Sequence, residues 1–171
     1  EASKKVSSDA QRVLALAMRS LKSPHESAVE SKMTFIGFAG LIDPPREEVR
    51  DSIRLCHKAG IQVVMITGDH PLTAFAIARN LGIAKTEQQV ITGKDLDEMN
   101  EETLAQHVQS YCVYARVTPE HKVRIVNAFK KHQLVVAMSG DGVNDAPSLK
   151  NADIGIAMGK TGTDVCKQAS D

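Results

Sequence analysis

The chain has 171 residues, of which 42% are hydrophobic, and it carries 21 basic and 21 acidic side chains, so its formal net charge is zero. This length and apolar content favour one globular domain with a sizeable core. Aromatic residues make up 4% and tryptophan is absent, so no basic, base-stacking surface is indicated and we expect no nucleic-acid partner. The three cysteines are widely spaced, a pattern typical of reduced thiols in a reducing compartment.

The first 33 residues give the least clear pattern. Residues 13–21 fit either a strand or a helix, whereas residues 22–31, with Pro24 and three serines, indicate a loop or linker. We therefore expect a domain boundary between residues 33 and 34. No apolar run approaches the ~20 residues of a membrane span, and the N-terminal residues contain no apolar signal segment.

From residue 34 onward, apolar strand candidates alternate with amphipathic helices. The predicted strands are residues 34–42, 61–66, 112–115, 134–138 and 154–158. The first predicted helix is capped by Asp43 and ends at Gly60, and the others cover residues 71–81, parts of 95–108, 118–131, 144–150 and 162–169. Repeated strand–helix–strand units predict an α/β fold with a parallel, Rossmann-like sheet covered by helices on both faces.

In open parallel sheets, ligands bind beyond the carboxyl ends of the strands. The strand of residues 61–66 is followed by Thr67-Gly68-Asp69-His70 just before a predicted helix. A hydroxyl and a glycine backbone at a helix N-terminus suit a phosphoryl group, because amides point toward it and the helix dipole favours negative charge. Capping of the helix by Asp69 or His70 explains the same residues equally well. This tetrapeptide therefore does not by itself distinguish a phosphoryl-binding site from a helix cap.

The strand of residues 134–138 is followed by the sequence SGDGVNDAP, which places Asp141, Asn144 and Asp145 on a glycine-bracketed turn. Hard oxygen donors on a tight loop suit Mg²⁺, which retains several of its own waters. The alternative is a solvated acidic turn in which Asn144 or Asp145 caps the next helix. The fully apolar strand in front of the loop favours the metal site.

Lys122 lies near the start of the predicted helix 118–131. A cation at a helix N-terminus is slightly unfavourable unless an anion lies nearby. An exposed surface lysine is the alternative interpretation, and position alone favours it.

Taken together, these three elements resemble the haloacid-dehalogenase-like phosphotransferase fold. Four longer strings resemble signatures of P-type cation-transporting ATPases, namely DPPR at 43–46, MITGD at 65–69, GDGVNDAP at 140–147 and ADIGIAMG at 152–159. The resemblance covers residues 34–171 and extends more weakly to residues 12–17, which resemble the last strand of the nucleotide-binding domain.

The resemblance implies roles for individual residues at the phosphorylation site. Thr67 and Gly68 would contact the phosphoryl group, and Lys122 would neutralise its oxygens. Asp141 and Asp145 would form the Mg²⁺ site.

Further positions match other parts of the family pattern. Asn144 would help to complete or orient the Mg²⁺ site. Asp69 and Arg116 match family positions that lie near the nucleotide and near the contact between domains. Arg12 matches a residue that reaches the phosphates of ATP. Asp43 and Arg46 match a family motif that lies on the hinge side of the phosphorylation domain.

The chain departs from the family at one decisive point, because the phosphorylated aspartate of the sequence Asp-Lys-Thr-Gly-Thr is absent. The run KTGT at 160–163 follows Gly159 instead of an aspartate. Asp95-Leu96-Asp97 resembles the Asp-x-Asp of soluble phosphatases but follows no apolar strand. We therefore expect residues 1–33 to be the tail of a nucleotide-binding domain and residues 34–171 the C-terminal portion of a phosphorylation domain, inactive alone.

The function implied by the resemblance is that of an ATP-driven cation pump with Mg²⁺ as cofactor. Its partners would be the nucleotide-binding, actuator and transmembrane domains of the same pump and the transported cation. The chain would then be a soluble part on the cytosolic face of a membrane protein. The DPPR string and the long segment 84–110 favour the calcium, sodium–potassium and proton group, with calcium preferred. The alternatives are a soluble haloacid-dehalogenase-type phosphatase and a non-catalytic domain of the same fold.

Overall fold

A computed structural model of the chain describes residues 12–21, 30–41 and 44–171. The predicted cap Asp43 and most of the predicted linker 22–31 lie outside these residues. Arg12 begins the first strand, but its side chain also lies outside the described part of the chain.

The N-terminal strands form an antiparallel hairpin. Strand β1 (Arg12–Met18) pairs with β2 (Thr34–Leu41), and the register shifts between Leu16 and Ala17. Pairing with β2 shows that residues 13–18 of the ambiguous segment 13–21 form a strand, whereas residues 19–21 follow it without regular structure. The large apolar side chains of this hairpin are exposed. It straddles the predicted boundary at residues 33 and 34, so the division into a nucleotide-domain tail and a phosphorylation domain stays a prediction.

The remaining strands are parallel, as the alternating pattern predicted. Strands β3 (Met65–Thr67), β4 (Val90–Thr92) and β5 (Val113–Ala115) form a sheet in the order β3-β5-β4. Strands β6 (Ala137–Gly140) and β7 (Ile154–Ala157) form a second parallel pair.

Seven helices occur in the described ranges, and all but the last precede a strand. They are α1 (Glu47–Lys58), α2 (Pro71–Leu81), α3 (Gly93–Glu98), α4 (Glu101–His107), α5 (Pro119–Lys130), α6 (Ala146–Asn151) and α7 (Asp164–Ala169). Single 3₁₀ turns occur at Glu87–Gln89, Val108–Ser110 and Val143–Asp145. The chain therefore has the α/β architecture that the sequence predicted.

Local signals set the ends of the two helices nearest the site. Helix α2 begins at a proline after His70, whose ring accepts a hydrogen bond from the amide of Leu72, and it ends at Gly82 with φ +79°. Helix α5 begins after Thr118, whose hydroxyl accepts from the amide of His121. Both helices thus start at the carboxyl end of the preceding strand, where the predicted site residues lie.

Three apolar clusters form the core of the described part of the chain. The largest packs β4, β5 and helices α3 to α5 together and consists of Ile91, Leu96, Leu104, Val108, Tyr114, Ile125, Ala128 and Phe129. The second centres on Ala74, Ala78 and Val113, and the third on Met138, Leu149 and Cys166. Ile66 packs against both the first and the third cluster, so it lies where the two parallel sheets approach each other.

Two strands are shorter than the sequence predicted. Residues 61–64 and 134–136 lie outside β3 and β6, and Ile61 and Val135 are 56% and 78% exposed. Both segments line the space between β3 and β6. A strand requires a ladder of hydrogen bonds to a neighbour. Among the described residues, the ladders begin only at Met65 and Ala137, and residues 134–136 reach β7 only through the Val136 carbonyl, which accepts from the amides of Asp153 and Ile154. The predicted strand ranges 61–66 and 134–138 were therefore wrong at their N-terminal ends.

Candidate functional site

A cleft of about 940 Å³ separates β3 from β6, with α5 along its floor. The residues before each strand line one end of the cleft, and the residues after each strand line the other. That second end carries Thr67, Gly68, Lys122, Asp141 and Asp145. Residues far apart in the chain thus meet at one place, at the carboxyl ends of parallel strands where ligands bind in such sheets.

The loop after β3 is held by its own hydrogen bonds. The Thr67 hydroxyl and Asp69 contact each other twice: Oγ1 lies 3.1 Å from Oδ2, and the Asp69 amide donates to Oγ1 at 3.1 Å. The amide of Arg116 donates to the Asp69 carbonyl at 3.2 Å, and that of Val117 to the Thr67 carbonyl at 3.4 Å. Arg116 has φ +51°, a strained conformation for a non-glycine residue. The loop after β5 therefore fixes the position of Thr67.

Lys122 and Asp145 form an ion pair at the mouth of the cleft. The Nζ of Lys122 donates to Oδ1 of Asp145, and the two side chains are only 20% and 11% exposed. Lys122 lies on the first turn of α5, where the helix dipole disfavours a cation. The carboxylate offsets this cost, so Lys122 is not the freely exposed lysine that its sequence position favoured.

Asp145 has both carboxylate oxygens engaged. Its Oδ2 accepts from the amides of Asp141 at 3.4 Å and Gly142 at 3.2 Å, while Oδ1 accepts from Lys122. Burial acts to raise the pKa of Asp145, but the Lys122 hydrogen bond and charge and the two amides outweigh it, so the pKa is below its usual value. Asp145 is therefore an ionised residue that organises the loop around it.

We call residues 139–145 the acid loop. A side chain at Gly140 would place its Cβ 2.5 Å from the Cβ of Asp145, so only glycine fits there. Behind the loop, the Thr163 amide donates to the Asp141 carbonyl at 3.0 Å, and the Cys166 thiol donates to the Gly142 carbonyl at 2.8 Å. Sequence reasoning missed the supporting contacts of α7, although Thr163 carries the N-cap pattern that places this helix.

Asp141 differs from Asp145 because its side chain is exposed at the cleft. In the part of the chain that the structure describes, its carboxylate has no hydrogen-bond or ion-pair partner, and no group of three His, Cys, Asp or Glu side chains could enclose a metal ion. Mg²⁺ favours an octahedron of oxygens and retains several waters. The donor set thus fits one anchoring carboxylate of an open Mg²⁺ site, in which water would fill several of the other positions.

The remaining predicted residues lie around this site. Asn144 is exposed in the 3₁₀ turn of the acid loop, and Asp69 and Arg116 are exposed beside Thr67. The Asp95–Asp97 pair has structural partners instead. Asp95 accepts from the amide of Thr92 at 2.9 Å, and Asp97 contacts the buried ring of His121 at 2.8 Å.

Residues 6–153 match the model of a family described as haloacid dehalogenase-like hydrolase. The chain belongs to that family. It is also 52% identical over 173 aligned positions, covering the whole chain, to "Calcium-transporting ATPase 1" of Bacillus cereus, and 49% identical over 168 positions to "Calcium-transporting ATPase" of Bacillus subtilis, covering 96% of the chain. A human relative, "Calcium-transporting ATPase type 2C member 1", is 47% identical over 140 positions and matches 82% of the chain.

The chain spans 20%, 19% and 15% of the length of these three relatives. The haloacid dehalogenase-like fold and the similarity to calcium-transporting ATPases expected from the sequence are thus confirmed. None of the helices in the described ranges has both the length and the apolar content required to cross a membrane.

Proposed function

We propose that this chain is the phosphoryl-transfer portion of an ATP-driven calcium pump, which forms and hydrolyses an aspartyl phosphate during ion transport. The observation that carries the proposal is the cleft between β3 and β6, because one end of it gathers a hydroxyl, a lysine and two carboxylates. The names of the relatives support the ion and the ATP requirement. The calcium ligands would lie in the part of the pump outside this chain.

The roles of the residues follow from charge. In phosphoryl transfer, catalysis rests mainly on positioning and on stabilising negative charge. The Thr67 hydroxyl and the Gly68 backbone would hold the phosphoryl oxygens, and Lys122 would neutralise them. Asp141 would anchor Mg²⁺, which supplies further positive charge when bound. Asp145 would hold Lys122 and the acid loop in place, a role closer to orientation than to direct metal binding.

The nucleophile would enter as part of a strand. Among the described residues β3 pairs only with β5, and β6 only with β7, so each presents an open edge to the cleft. A strand that runs in the same direction as β3 and β6 would hydrogen-bond to both edges. Its carboxyl end would then lie beside Thr67 and Asp141, where an aspartate could accept a phosphoryl group.

The other domains of the pump would complete the reaction. We propose that Asn144 orients the acid loop and that Asp69 and Arg116 face the nucleotide-binding domain, since all three are exposed around the site. Arg12 would reach the phosphates of ATP, and residues 1–33 would belong to the tail of that domain. An actuator and a transmembrane domain would be the remaining partners, with this chain on the cytosolic face.

The experiment joins the nucleophile strand of the parent pump to the N-terminus of this chain through a long flexible linker. Incubation with a small reactive phosphate donor and Mg²⁺ should yield a hydroxylamine-sensitive acyl phosphate. Lys122→Ala should abolish it, because the phosphoryl charge would lack its counter-ion. Lys150→Ala, which removes an exposed lysine of α6, is the matched control and should leave it unchanged.

Two outcomes contradict the proposal. Acyl phosphate on Asp95 or Asp164 of the unmodified chain would place the nucleophile elsewhere. Hydrolysis of small phosphate esters by the unmodified chain, equal with and without the added strand, would favour a soluble phosphatase.

A further inference from the structure

A second concave surface lies away from the cleft, between α1 and α2. This α1–α2 groove has a volume of about 490 Å³, and its apolar floor includes Ile53 and Leu81. Helix α2 begins at the carboxyl end of β3 and runs back for 11 residues, about 16 Å at 1.5 Å per residue. Because the groove includes the last turn of α2, it lies at the opposite edge of the sheet from Thr67.

Cations line this groove. Arg50, Arg54, Lys58 and Arg79 all contribute to its surface, together with His57. None of the lining residues is acidic. The neighbouring Asp51 pairs with Arg54 at 3.2 Å, but the side chains of Asp51 and Arg54 are 73% and 66% exposed, so that pair stabilises little. Glu47 lies one turn before Arg50 on the same face of α1. Four permanent cations against the carboxylates of Glu47 and Asp51 leave a surplus of two positive charges, although the whole chain is neutral.

The helices themselves account for only part of this charge. Lys58 and Arg79 lie in last turns, where the helix dipole favours a cation. Arg50 donates to the carbonyl of Asn80 at 2.7 Å and so ties α1 to the C-terminal end of α2. Arg54 lies in the middle of α1, where neither the dipole nor a contact with α2 requires a guanidinium.

The spacing of these cations fits an extended peptide. Residues 50, 54 and 58 recur every four positions along one face of α1 and span about 12 Å at 1.5 Å per residue. That length corresponds to about four residues of extended chain, in which side chains on one face recur about every 6.6 Å. Acidic side chains at alternate positions would therefore meet successive cations, and carboxylates suit the forked donors of arginine.

We propose that the α1–α2 groove binds an acidic, extended segment of the same polypeptide, from the part of the pump outside this chain. The surplus of cations favours a peptide with two or more carboxylates, and the apolar floor favours one apolar side chain in the same peptide. The relatives are about five times longer than this chain, so the segment is available within one molecule. The inference rests on the proposed function only in taking the occupant from that pump.

The test uses the full-length pump and a zero-length carbodiimide, which couples a lysine amine to a carboxylate in contact with it. Lys58 should form an isopeptide bond with an Asp or Glu outside residues 1–171, identified by peptide mass spectrometry. Arg54→Glu should lower the yield about fivefold or more, because it replaces an attraction with a repulsion. Arg54→Lys retains the charge and should preserve the yield. Lys94→Glu, an exposed charge reversal on α3, should not change it.

Three results overturn the proposal. The first is coupling of Lys58 only to carboxylates of its own helix, and the second is a yield that Arg54→Glu does not change. The third is protection of Lys58 from acetylation only in nanodiscs that contain phosphatidylserine, which would identify a membrane surface as the occupant. The crosslink requires no phosphorylation, so it should persist in Lys122→Ala. Loss of the acyl phosphate and loss of the crosslink therefore report on separate proposals.

Discussion

Replacement of Lys122 by methionine tests the electrostatic design of the site through stability. The methionine retains much of the apolar volume of the lysine but removes its charge, so Oδ1 of Asp145 loses its partner. Asp145 then remains a largely buried carboxylate, with only the amides of Asp141 and Gly142 as donors. Burial acts to raise the pKa of Asp145, and the hydrogen bond and charge of Lys122, which act to lower it, would be absent.

The expected cost can be estimated from the exposure of the pair. Removal of one partner from a buried ion pair costs about 3–5 kcal/mol. Asp145 retains two amide hydrogen bonds, and the Lys122 side chain is 20% exposed, so we expect about 2–3 kcal/mol at pH 7. With a urea dependence of about 2 kcal/mol per molar, the midpoint of unfolding should fall by about 1–1.5 M.

The cost should depend on pH in a definite direction. In the native chain the pKa of Asp145 is lowered, so the ionised carboxylate stabilises the folded state at pH values above its unfolded pKa of about 3.9. This stabilisation is lost as the pH falls through the lower pKa of the folded state. Without Lys122, protonation relieves the buried charge. The difference between the two proteins should therefore shrink below about pH 4.

Urea titrations followed by circular dichroism at pH 7 and at pH 3 provide the measurement. Asp145→Asn in the Lys122→Met background should recover most of the lost stability, because no unpaired charge remains. A penalty of equal size at both pH values, or no recovery in the double variant, would refute the reasoning.

Three further predictions concern the acid loop and the core. Gly140→Ala should destabilise the chain by about 2 kcal/mol or more, because its Cβ would lie 2.5 Å from that of Asp145. Gly159→Ala meets no atom of the described residues within 4 Å and should be nearly neutral in the same urea titration. Tyr114→Phe should cost about 1 kcal/mol, since the buried hydroxyl donates to a backbone carbonyl at 3.0 Å. Burial raises the pKa of Tyr114, so native stability should fall as the pH rises above about 10, and the variant should lose part of that dependence. Mg²⁺ should bind weakly and shift the NMR signals of the acid loop first, and Asp141→Asn should remove the effect. Shifts confined to residues 95–102 would instead contradict the Mg²⁺ assignment.

The sequence predicted local structure best where helix ends carry their own signals. Helix α2 has the predicted limits, residues 71–81, because a proline starts it and a left-handed glycine ends it. The strands before Thr67 and before the acid loop were predicted too long. Apolar composition indicates burial in a sheet, but whether a neighbouring strand is present to pair with is a property of the tertiary structure.

The site residues show the same limit. The spacing of Asp141 and Asp145 indicated two comparable acids on one turn. The structure separates them, because Lys122 arrives from α5 and engages one carboxylate while leaving the other exposed. No pattern within the loop encodes that difference. The backing of the loop by Thr163 and Cys166 likewise depends on where α7 packs.

The open edges of β3 and β6 have a consequence for how the proposed pump would be assembled. If the nucleophile strand fills the cleft as we propose, the same segment that accepts the phosphoryl group also joins the two sheets. A molecule in which that strand has not docked would then be unable to form the acyl phosphate, and it would expose unpaired strand edges that favour association with other chains. Docking of this strand would thus complete the fold and the active site together. A pump damaged in this region would be inactive, so it would not consume ATP without transporting the ion.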